Sequence, residues 1–259
     1  MEKILRYILI VLFGFIAQMV DGSLGMGYGV TSTSLLLSVG FSTALASSIV
    51  HFSEIFTTFA SGISHFKLGN VDKKIFKYLA VSGVIGGALG AYLSVKLQNA
   101  AIIRPFVSGI LLMMGVLIIL KNIRLDISET NYKVPRIRRL APLGFFAAFV
   151  DAIGGGGWGP IATPSLIITN THPKKAIGSV NFAEFFVTLS ISITFFLTLQ
   201  KIDFASAVPL IIGGLIAAPI AAFMTRKINH KKLCIFVGLI VILLSMRTIL
   251  KSAGIDFIF

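Results

Sequence analysis

The stretch VDAIGGGGWGPIATP, residues 150–164, decides how this chain folds. It places an aspartate, four consecutive glycines and two prolines in the middle of an apolar sequence. The apolar segments on its two sides, 140–150 and 160–169, have only about ten residues each, and ten helical residues rise about 15 Å. A hydrocarbon core is about 30 Å thick. The pattern therefore predicts two half-length helices joined by a glycine-rich turn, a re-entrant hairpin with its tip near the middle of a membrane.

The composition of the whole chain is typical of an integral membrane protein. Of its 259 residues, 56% are hydrophobic and 13% are charged, whereas a soluble domain carries about a quarter charged residues. The mean hydropathy is +0.93. Several apolar runs approach or exceed the length of about 20 residues that a membrane helix needs, and no alternation typical of an outer-membrane barrel is present. We predict an all-α polytopic membrane protein.

The charges and the single cysteine narrow the class of protein further. The net charge is +13, but the basic residues lie in short connectors, where they set topology, so we expect no nucleic-acid partner. The single cysteine, Cys234, excludes an internal disulfide and a multi-cysteine metal site. No clear cleavage site follows the N-terminus, so the first helix is expected to stay uncleaved. We expect no cofactor and no bound metal, and we expect ordinary interfacial roles for His65, His172 and His230.

A second copy of the opening stretch lies 130 residues earlier in the chain. GFIAQMVDGSLGMGYGVTSTSLL from Gly14 aligns with GFFAAFVDAIGGGGWGPIATPSL from Gly144, and VHFSEIFTTF from Val50 aligns with VNFAEFFVTL from Val180. The matched positions are Asp21 with Asp151, Gly25 with Gly155, Gly27 with Gly157, Tyr28 with Trp158, Gly29 with Gly159, Thr33 with Thr163 and Glu54 with Glu184. Apolar composition alone would not align acids, glycines and threonine together, so the pattern indicates an internal duplication.

The charge of the connectors predicts that the two halves are inverted. The connector around 67–77 carries four lysines, while its counterpart in the second half carries only Lys201, and the next pair of connectors shows the opposite bias. Positive charge marks the cytoplasmic side, and inverted repeats are typical of secondary transporters. We predict residues 1–121 as the first transmembrane repeat, 122–139 as a basic cytoplasmic linker and 140–259 as the second repeat. Each repeat is expected to contain a broken or re-entrant helical hairpin plus three transmembrane helices.

The glycine-rich breaks are predicted to bind a small anion. Non-helical backbone at membrane depth is tolerated only where it is buried in protein or lines a cavity. Helices that begin near Val30 and Pro160 would direct unpaired amides and a positive dipole end into that cavity. The predicted substrate-binding residues are Gly25, Gly27, Tyr28, Gly29, Thr31, Ser32, Thr33, Gly155, Gly156, Gly157, Trp158, Gly159, Thr163 and Ser165. The alternative is close helix packing, which better explains the glycines at 83, 86, 87 and 90.

Four of the ten acidic residues lie inside apolar runs, with no Lys or Arg within eight residues of any of them. An ionised carboxylate in such a place costs several kcal/mol, so each acid is expected to face a cavity, bind a cation or be protonated. The predicted proton-coupling residues are Asp21, His51, Glu54, Asp151 and Glu184. His51 precedes Glu54 by three residues and shares its helical face. The alternative is an acid hydrogen-bonded to a neighbouring helix or, for the aspartates, a cap on a broken helix end.

The duplicated halves resemble the sulfite exporter TauE/SafE family, also called the TSUP family. The resemblance covers residues 5–250 and is most specific in DAIGGGGWGPIATP, in DGSLGMGYG and in the repeated F-x-E of 52–54 and 182–184. It implies a multi-pass carrier of the cell membrane that moves small sulfur-containing anions such as sulfite, sulfoacetate or thiosulfate. The first motif departs from the second at three positions, where Ser23, Leu24 and Met26 replace Ile153, Gly154 and Gly156.

Several functions remain compatible with the sequence. The first is a proton-coupled secondary carrier of a small anion, working by alternating access. In the second, the buried acids bind a cation instead, for sodium coupling or metal-ion export. An intramembrane hydrolase using Ser23 and His51 is disfavoured because Ile153 replaces the serine in the other half, so we predict no enzyme. A channel stays open as a further alternative, and no G-x-x-x-x-G-K-[ST] loop for ATP is present.

Overall fold

The structure, a computed structural model, describes most of the chain. The described residues are 2–29, 31–32, 36, 43–97, 109, 112–113, 115–116, 119–120, 133, 135–154, 157–199, 204–252 and 254. Three predicted site residues, Thr33, Gly155 and Gly156, lie outside them, as does most of the predicted linker 122–139.

The described residues are almost entirely helical. The long helices are α1 Glu2–Leu24, α2 Thr43–Lys67, α3 Lys73–Leu97, α4 Ile137–Gly154, α5 Trp158–Ile168, α6 Pro173–Leu199, α7 Phe204–Lys227 and α8 His230–Ser252. Further helical residues occur at 28–29, 31–32, 36, 109, 112–113, 115–116 and 119–120, and no strand occurs in the described ranges. The segments long and apolar enough to cross a membrane are Leu5–Leu24, Lys73–Ser94, Pro173–Thr198 and Ser206–Lys227. The prediction of an all-α polytopic membrane protein is confirmed.

The second glycine-rich stretch breaks the chain into two helices. Helix α4 ends at Gly154, and α5 begins at Trp158 and has 11 residues. At about 1.5 Å per residue, α5 is about half as long as the hydrocarbon core is thick. Helix α4 begins at Ile137, so the last three residues of the predicted linker are helical. That the hairpin enters and leaves the membrane on the same side stays a prediction.

The first break is made differently from the second. Helix α1 runs to Leu24, beyond the apolar run that ends near residue 20, and helical structure resumes at Tyr28. Between these helices Gly25 and Gly27 have φ angles of 72° and 102°. Glycine adopts such left-handed conformations without the steric cost that a Cβ brings. These two glycines therefore let the chain turn within three residues.

The two halves interlock. Helix α1 of the first half packs on α7 of the second, and its equivalent, α4, packs on α3 of the first. Helix α2 likewise packs on α7, while its equivalent, α6, packs on α3, and α2 and α6 pack on each other. A Cβ added to Gly14 would meet the backbone of Leu210, and one added to the equivalent Gly144 would meet the backbone of Leu79. Each of these packing pairs thus has a counterpart when the halves are exchanged. Their inverted orientation in the membrane remains a prediction.

The glycines of α3 provide the close packing that the sequence predicted for them. A Cβ on Gly86 or Gly90 would collide with backbone atoms of α4, and one on Gly83 or Gly87 would lie within 3.0 Å of side chains of α6. Small residues at such crossings allow two helices to approach closely. The assignment of these four glycines to packing is confirmed.

Large apolar side chains cover the outside of the bundle. On α1 and α3 they follow one another three or four positions apart, and all are exposed: Leu5, Ile8, Leu12 and Ile16, then Val81, Ile85, Leu89 and Tyr92. That spacing marks one face of each helix. Soluble proteins rarely expose contiguous apolar surface of this extent, so these faces are suited to contact with lipid.

Candidate functional site

The two glycine-rich breaks touch in the folded chain. The hydroxyl of Thr163 in α5 donates a hydrogen bond of 2.6 Å to the carbonyl oxygen of Gly25 at the end of α1. A Cβ added to Gly159 would lie 2.5 Å from Cα of Met26 and 2.7 Å from the Gly25 carbonyl oxygen. The backbones of the two breaks therefore lie against each other, with no room for a side chain at Gly159.

A cleft opens between the breaks. The space that no atom fills, its mouth included, is about 210 Å³. Its lining residues come from both breaks and from α2 and α6: Gly27, Tyr28, Gly29, Glu54, Asp151, Gly157, Trp158, Gly159, Pro160 and Glu184. Three of these are carboxylic acids, and none of the described residues that line the cleft is a Lys or Arg. Nine of the predicted site residues are thus brought to one place.

Asp151 caps the helix that follows the second break. Its Oδ1 accepts hydrogen bonds from the backbone N–H groups of Gly157 at 2.6 Å and Trp158 at 3.1 Å. Helix N-termini leave their first N–H groups without helical partners, and an aspartate is a favourable cap for them. The alternative interpretation, that an aspartate caps a broken helix end, is confirmed for Asp151. The same side chain also lines the cleft.

Asp21, the equivalent residue in the first half, lies in a different environment. Its side chain is fully buried and does not line the cleft. The backbone N–H of Tyr28 lies near this carboxyl group, but neither carboxylate oxygen has a hydrogen bond of good geometry to the described part of the chain. The two aspartates therefore approach equivalent backbone N–H groups, those of Trp158 and Tyr28, but only Asp151 makes hydrogen bonds of good geometry.

Glu54 and Glu184 face the same cleft from α2 and α6. Both are 6% exposed, so they are equivalent in burial as well as in sequence. Oε2 of Glu184 has no hydrogen-bond partner among the described residues. The charges of Glu54, Glu184 and Asp151 are close enough to repel one another. The cleft therefore concentrates negative charge whenever these acids are ionised.

The aromatic pair joins each break to the other half of the molecule. Trp158 donates its indole N–H to the carbonyl oxygen of Val180 at 3.2 Å, and its ring lies beside Gly83 of the first half. The hydroxyl of Tyr28 lies beside Gly214, which is equivalent to Gly83 because the second half has a one-residue insertion before Leu210. Both aromatic side chains are almost fully buried. They fix the ends of the breaks against the helices behind them.

Four predicted hydroxyl residues lie outside the lining of the cleft. Thr163 ties the breaks together through Gly25, and Ser165 donates its hydroxyl hydrogen at 2.7 Å to a carbonyl one turn earlier in α5. The backbone N–H of Thr31 donates within its own helical turn, and Ser32 is fully buried. A direct role for these hydroxyls in substrate binding stays a prediction.

His51 also lies outside the lining of the cleft. Its ring packs edge-on against Phe195 with the centroids 5.5 Å apart, and its backbone carbonyl accepts a hydrogen bond of 3.2 Å from the hydroxyl of Ser192. Ser23 donates its hydroxyl hydrogen to the carbonyl of Met19 in α1 at 2.5 Å. A relay through His51 stays a prediction, and the bond of Ser23 to its own helix gives no support to the hydrolase alternative.

A buried polar cluster holds the broken end of α1. Nε2 of His65 lies 2.7 Å from the carbonyl oxygen of Gly22, and Nδ1 of His65 lies 3.1 Å from Nδ2 of Asn70. A carbonyl can only accept, so the hydrogen of the ring is on Nε2 and Nδ1 accepts from the amide. The hydroxyl of Thr225 in α7 lies 3.1 Å from the same Gly22 carbonyl oxygen and 2.9 Å from that of Ser23, and it can donate its one hydrogen to either. The carbonyls left over at this helix end thus receive partners.

The expectation that His65 is an ordinary interfacial residue is wrong. It is fully buried, as are Thr225 and Asn181, whose amide group lies 3.4 Å from the Asp21 carbonyl oxygen. The sequence did contain an indication of this anchoring role, because His65 and Thr225 are hydrogen-bonding side chains near the ends of apolar helices. Which carbonyl they would meet depended on packing between helices that are far apart in sequence.

Comparisons with known proteins agree with this architecture. The family model described as "Sulfite exporter TauE/SafE" matches residues 10–248. The chain is 39% identical to "Probable membrane transporter protein YtnM" of Bacillus subtilis, over 95% of this chain and 84% of the relative. It is 22% identical to "Probable membrane transporter protein YunE" of the same organism, over 96% of this chain and 99% of the relative. No solved structure matches the chain.

Proposed function

This chain belongs to the sulfite exporter TauE/SafE family and is a multi-pass membrane transporter, and we propose that it carries a small sulfur-containing anion such as sulfite, thiosulfate or a sulfonate. One observation carries the proposal. The two broken helices touch beside a cleft that is lined both by the N-terminus of α5 and by Glu54, Asp151 and Glu184. A helix N-terminus attracts an anion, whereas carboxylates repel it. Anion binding in this cleft is therefore sensitive to protonation.

We further propose that transport is coupled to protons. Ionised, the three acids would keep an anion out of the cleft, and no lysine or arginine in the described lining compensates for them. Protonated, a carboxyl group loses its repulsion and gains a hydrogen that it can donate to the anion. An anion would then enter together with protons. Ionisable residues within membrane segments commonly mark such pathways.

The interlocked packing supports alternating access as the mechanism. The cleft lies where the two halves meet, and each break is packed on helices of the opposite half. Rocking of one half against the other would open the cleft first to one side of the membrane and then to the other. The substrate site would stay fixed near the contact between the breaks.

Proteoliposomes containing the full chain test these proposals. Uptake of sulfite, thiosulfate, a sulfonate and a carboxylate is measured with and without an inward proton gradient, against liposomes without protein. We expect uptake of the sulfur-containing anions, accelerated by the gradient. Absence of uptake for all of these anions would contradict the assigned substrate. Uptake that ignores the gradient would contradict proton coupling alone.

A cation carrier is the second candidate, favoured by the same three acids. Carboxylates without a basic partner can bind sodium or a divalent cation. Within the described residues, however, no group of three or more His, Cys, Asp and Glu side chains is placed to hold a metal ion. The same proteoliposomes distinguish the two functions, because cation movement without anion movement would favour this candidate.

A further inference from the structure

The N-terminus of α5 already holds an anion, the carboxylate of Asp151. We propose that Asp151 is an internal competitor of the transported anion: it occupies the amides of Gly157 and Trp158 and must release them when substrate binds. This inference rests on the proposed function, because it assigns the mode of binding at the same cleft. It makes Asp151 a residue that determines affinity and not only a structural cap.

Few backbone N–H groups at the start of α5 are free to bind an anion. Pro160 has no N–H group, and the N–H of Ile161 donates to the carbonyl oxygen of Gly157 at 3.0 Å, which begins the helical ladder. Among the amides that the structure describes here, those of Gly157, Trp158 and Gly159 remain. Asp151 uses the first two. An external anion can therefore obtain two of these hydrogen bonds only by displacing the carboxylate.

A second observation points to a ligand at this place. Glu184 is 6% exposed and lines the same cleft, and its Oε2 has no hydrogen-bond partner in the described part of the chain. A buried carboxyl oxygen of this kind normally has a partner. In its protonated form it would donate to an oxygen of an anion held by the α5 amides. Such a ligand would satisfy both the helix end and Glu184.

Displacement of Asp151 has an electrostatic consequence. The titratable groups that act on Asp151 are Asp21 from the end of α1, Glu54 from α2 and Glu184 from α6. All are acids and the described lining holds no Lys or Arg, so a carboxylate pushed away from its amides would gain no basic partner there and would be repelled by each neighbour that is ionised. A proton on Asp151 would remove this repulsion. Binding of the anion would thereby take up a proton at Asp151, which couples the two species at one residue.

The chain provides a matched control for this proposal. Asp72 caps α3 in the same manner, with Oδ1 accepting from the N–H groups of Lys74 at 2.9 Å and Ile75 at 3.0 Å. This cap lies outside the cleft lining. Asp72→Asn therefore changes the same type of helix cap without changing the proposed site.

The experiment compares wild type, Asp151→Asn and Asp72→Asn as purified full chains. Binding of thiosulfate is followed by the fluorescence of Trp158, the single tryptophan of the sequence, whose own amide is one of the two. A neutral side chain releases the amides more readily, so we expect Asp151→Asn to bind thiosulfate about tenfold more tightly, which is about 1.4 kcal/mol. Asp72→Asn should bind with the wild-type Kd.

Proton uptake provides a readout that a purely structural role would not change. In weakly buffered solution the wild type should take up protons on binding thiosulfate, and Asp151→Asn should take up about one fewer per bound anion. Wild-type binding with an unchanged or higher Kd in Asp151→Asn would overturn this inference and leave the proposed function standing. Absence of binding to every variant and to wild type would overturn both.

A second variant keeps the test decisive where Asp151→Asn folds poorly. Asp151→Ala removes the cap completely, so thiosulfate should raise its unfolding temperature more than it raises that of the wild type. Recovery of folded Asp151→Ala only in buffer with thiosulfate would equally support replacement of the carboxylate by the anion. A smaller stabilisation than in the wild type would contradict it.

Discussion

The two helix breaks occupy equivalent positions in the two halves, yet they are stabilised in different ways. At the second break, Asp151 satisfies the N–H groups at the start of α5. At the first break, Asp21 approaches the equivalent N–H of Tyr28 without a hydrogen bond of good geometry among the described residues, and His65 and Thr225 satisfy the carbonyls at the end of α1. The second break is therefore held through backbone N–H groups beside the cleft, whereas the first is held through backbone carbonyls that bond to side chains of α2 and α7. A repeated motif fixes where the helix breaks, while its neighbours decide which polar groups remain available.

The largest expected effect comes from forcing the two breaks apart. Gly159→Val introduces a side chain where a Cβ alone would lie 2.5 Å from Cα of Met26, so the breaks cannot stay in contact and we expect transport to be lost. Gly109→Ala is the control, because a Cβ there meets no atom of the described residues within 4 Å. Uptake in proteoliposomes and the amount of folded protein are measured together. Normal uptake by Gly159→Val would show that contact between the breaks is not needed.

Substitution of the two cleft glutamates tests whether the two halves contribute equally to proton coupling. Glu54→Gln and Glu184→Gln each remove one proton-accepting group from the cleft lining. We expect pH-driven accumulation to fall about tenfold or more in each, corresponding to about 1.4 kcal/mol. The measurement is uptake over a range of proton gradients. Unchanged pH dependence in both would remove these acids from the mechanism, and an effect in only one would show that the halves differ here as they do at the aspartates.

The role of His65 at the first break is tested by replacing it with the residue found at the equivalent position of the second half. His65→Phe introduces the residue that occupies the aligned position 195 and leaves the Gly22 carbonyl with one partner fewer. Loss of a partner for a buried polar group costs about 1–3 kcal/mol, which thermal unfolding would detect. Thr169→Val serves as the control, since Thr169 is exposed and bonds only within α5. Equal unfolding temperatures for His65→Phe and wild type would remove the anchoring role.

The smallest expected effect concerns the single hydrogen bond between the breaks. Thr163→Val keeps the shape of the side chain but leaves the Gly25 carbonyl oxygen without its donor from α5. We expect a loss of about 1 kcal/mol in the free energy of unfolding. Thr163→Ser retains the hydroxyl group and should stay closer to the wild type. A larger loss for the serine variant would show that packing, and not the hydrogen bond, joins the breaks.

Much of the fold could be predicted because its causes are local. The length of the apolar segments and the glycine and proline content of 150–164 predict a helix break in one half, and the duplication places another near residue 25. The glycines of α3 were assigned to packing because no acid or proline accompanies them. The position of α1 relative to α7 was not predictable in this way, since it depends on how two halves of similar pattern interlock.

The site could be predicted in its residues but not in its hydrogen bonds. Nine of the predicted residues line one cleft, including Glu54 and Glu184. The hydroxyl groups of Thr163 and Ser165 were expected to be available to substrate, yet both donate to backbone carbonyls. His65 was missed as an anchor. A side chain takes whichever partner the neighbouring helices bring within reach, and that geometry is not encoded in spacing along the chain.

By itself, the sequence determined that this chain is an all-helical membrane protein with two repeated glycine-rich breaks and acids inside apolar segments, because hydrophobic length, glycine content and internal repetition are properties of short segments, and its resemblance to the TauE/SafE family indicated a transporter. Only the tertiary structure decided that Asp151 binds the start of α5 through hydrogen bonds of good geometry while Asp21 only approaches the equivalent amide of Tyr28. The physical reason is that a hydrogen bond depends on distances of a few tenths of an ångström. Those distances are set by the packing of helices from both halves, and identical residues at equivalent positions do not guarantee them.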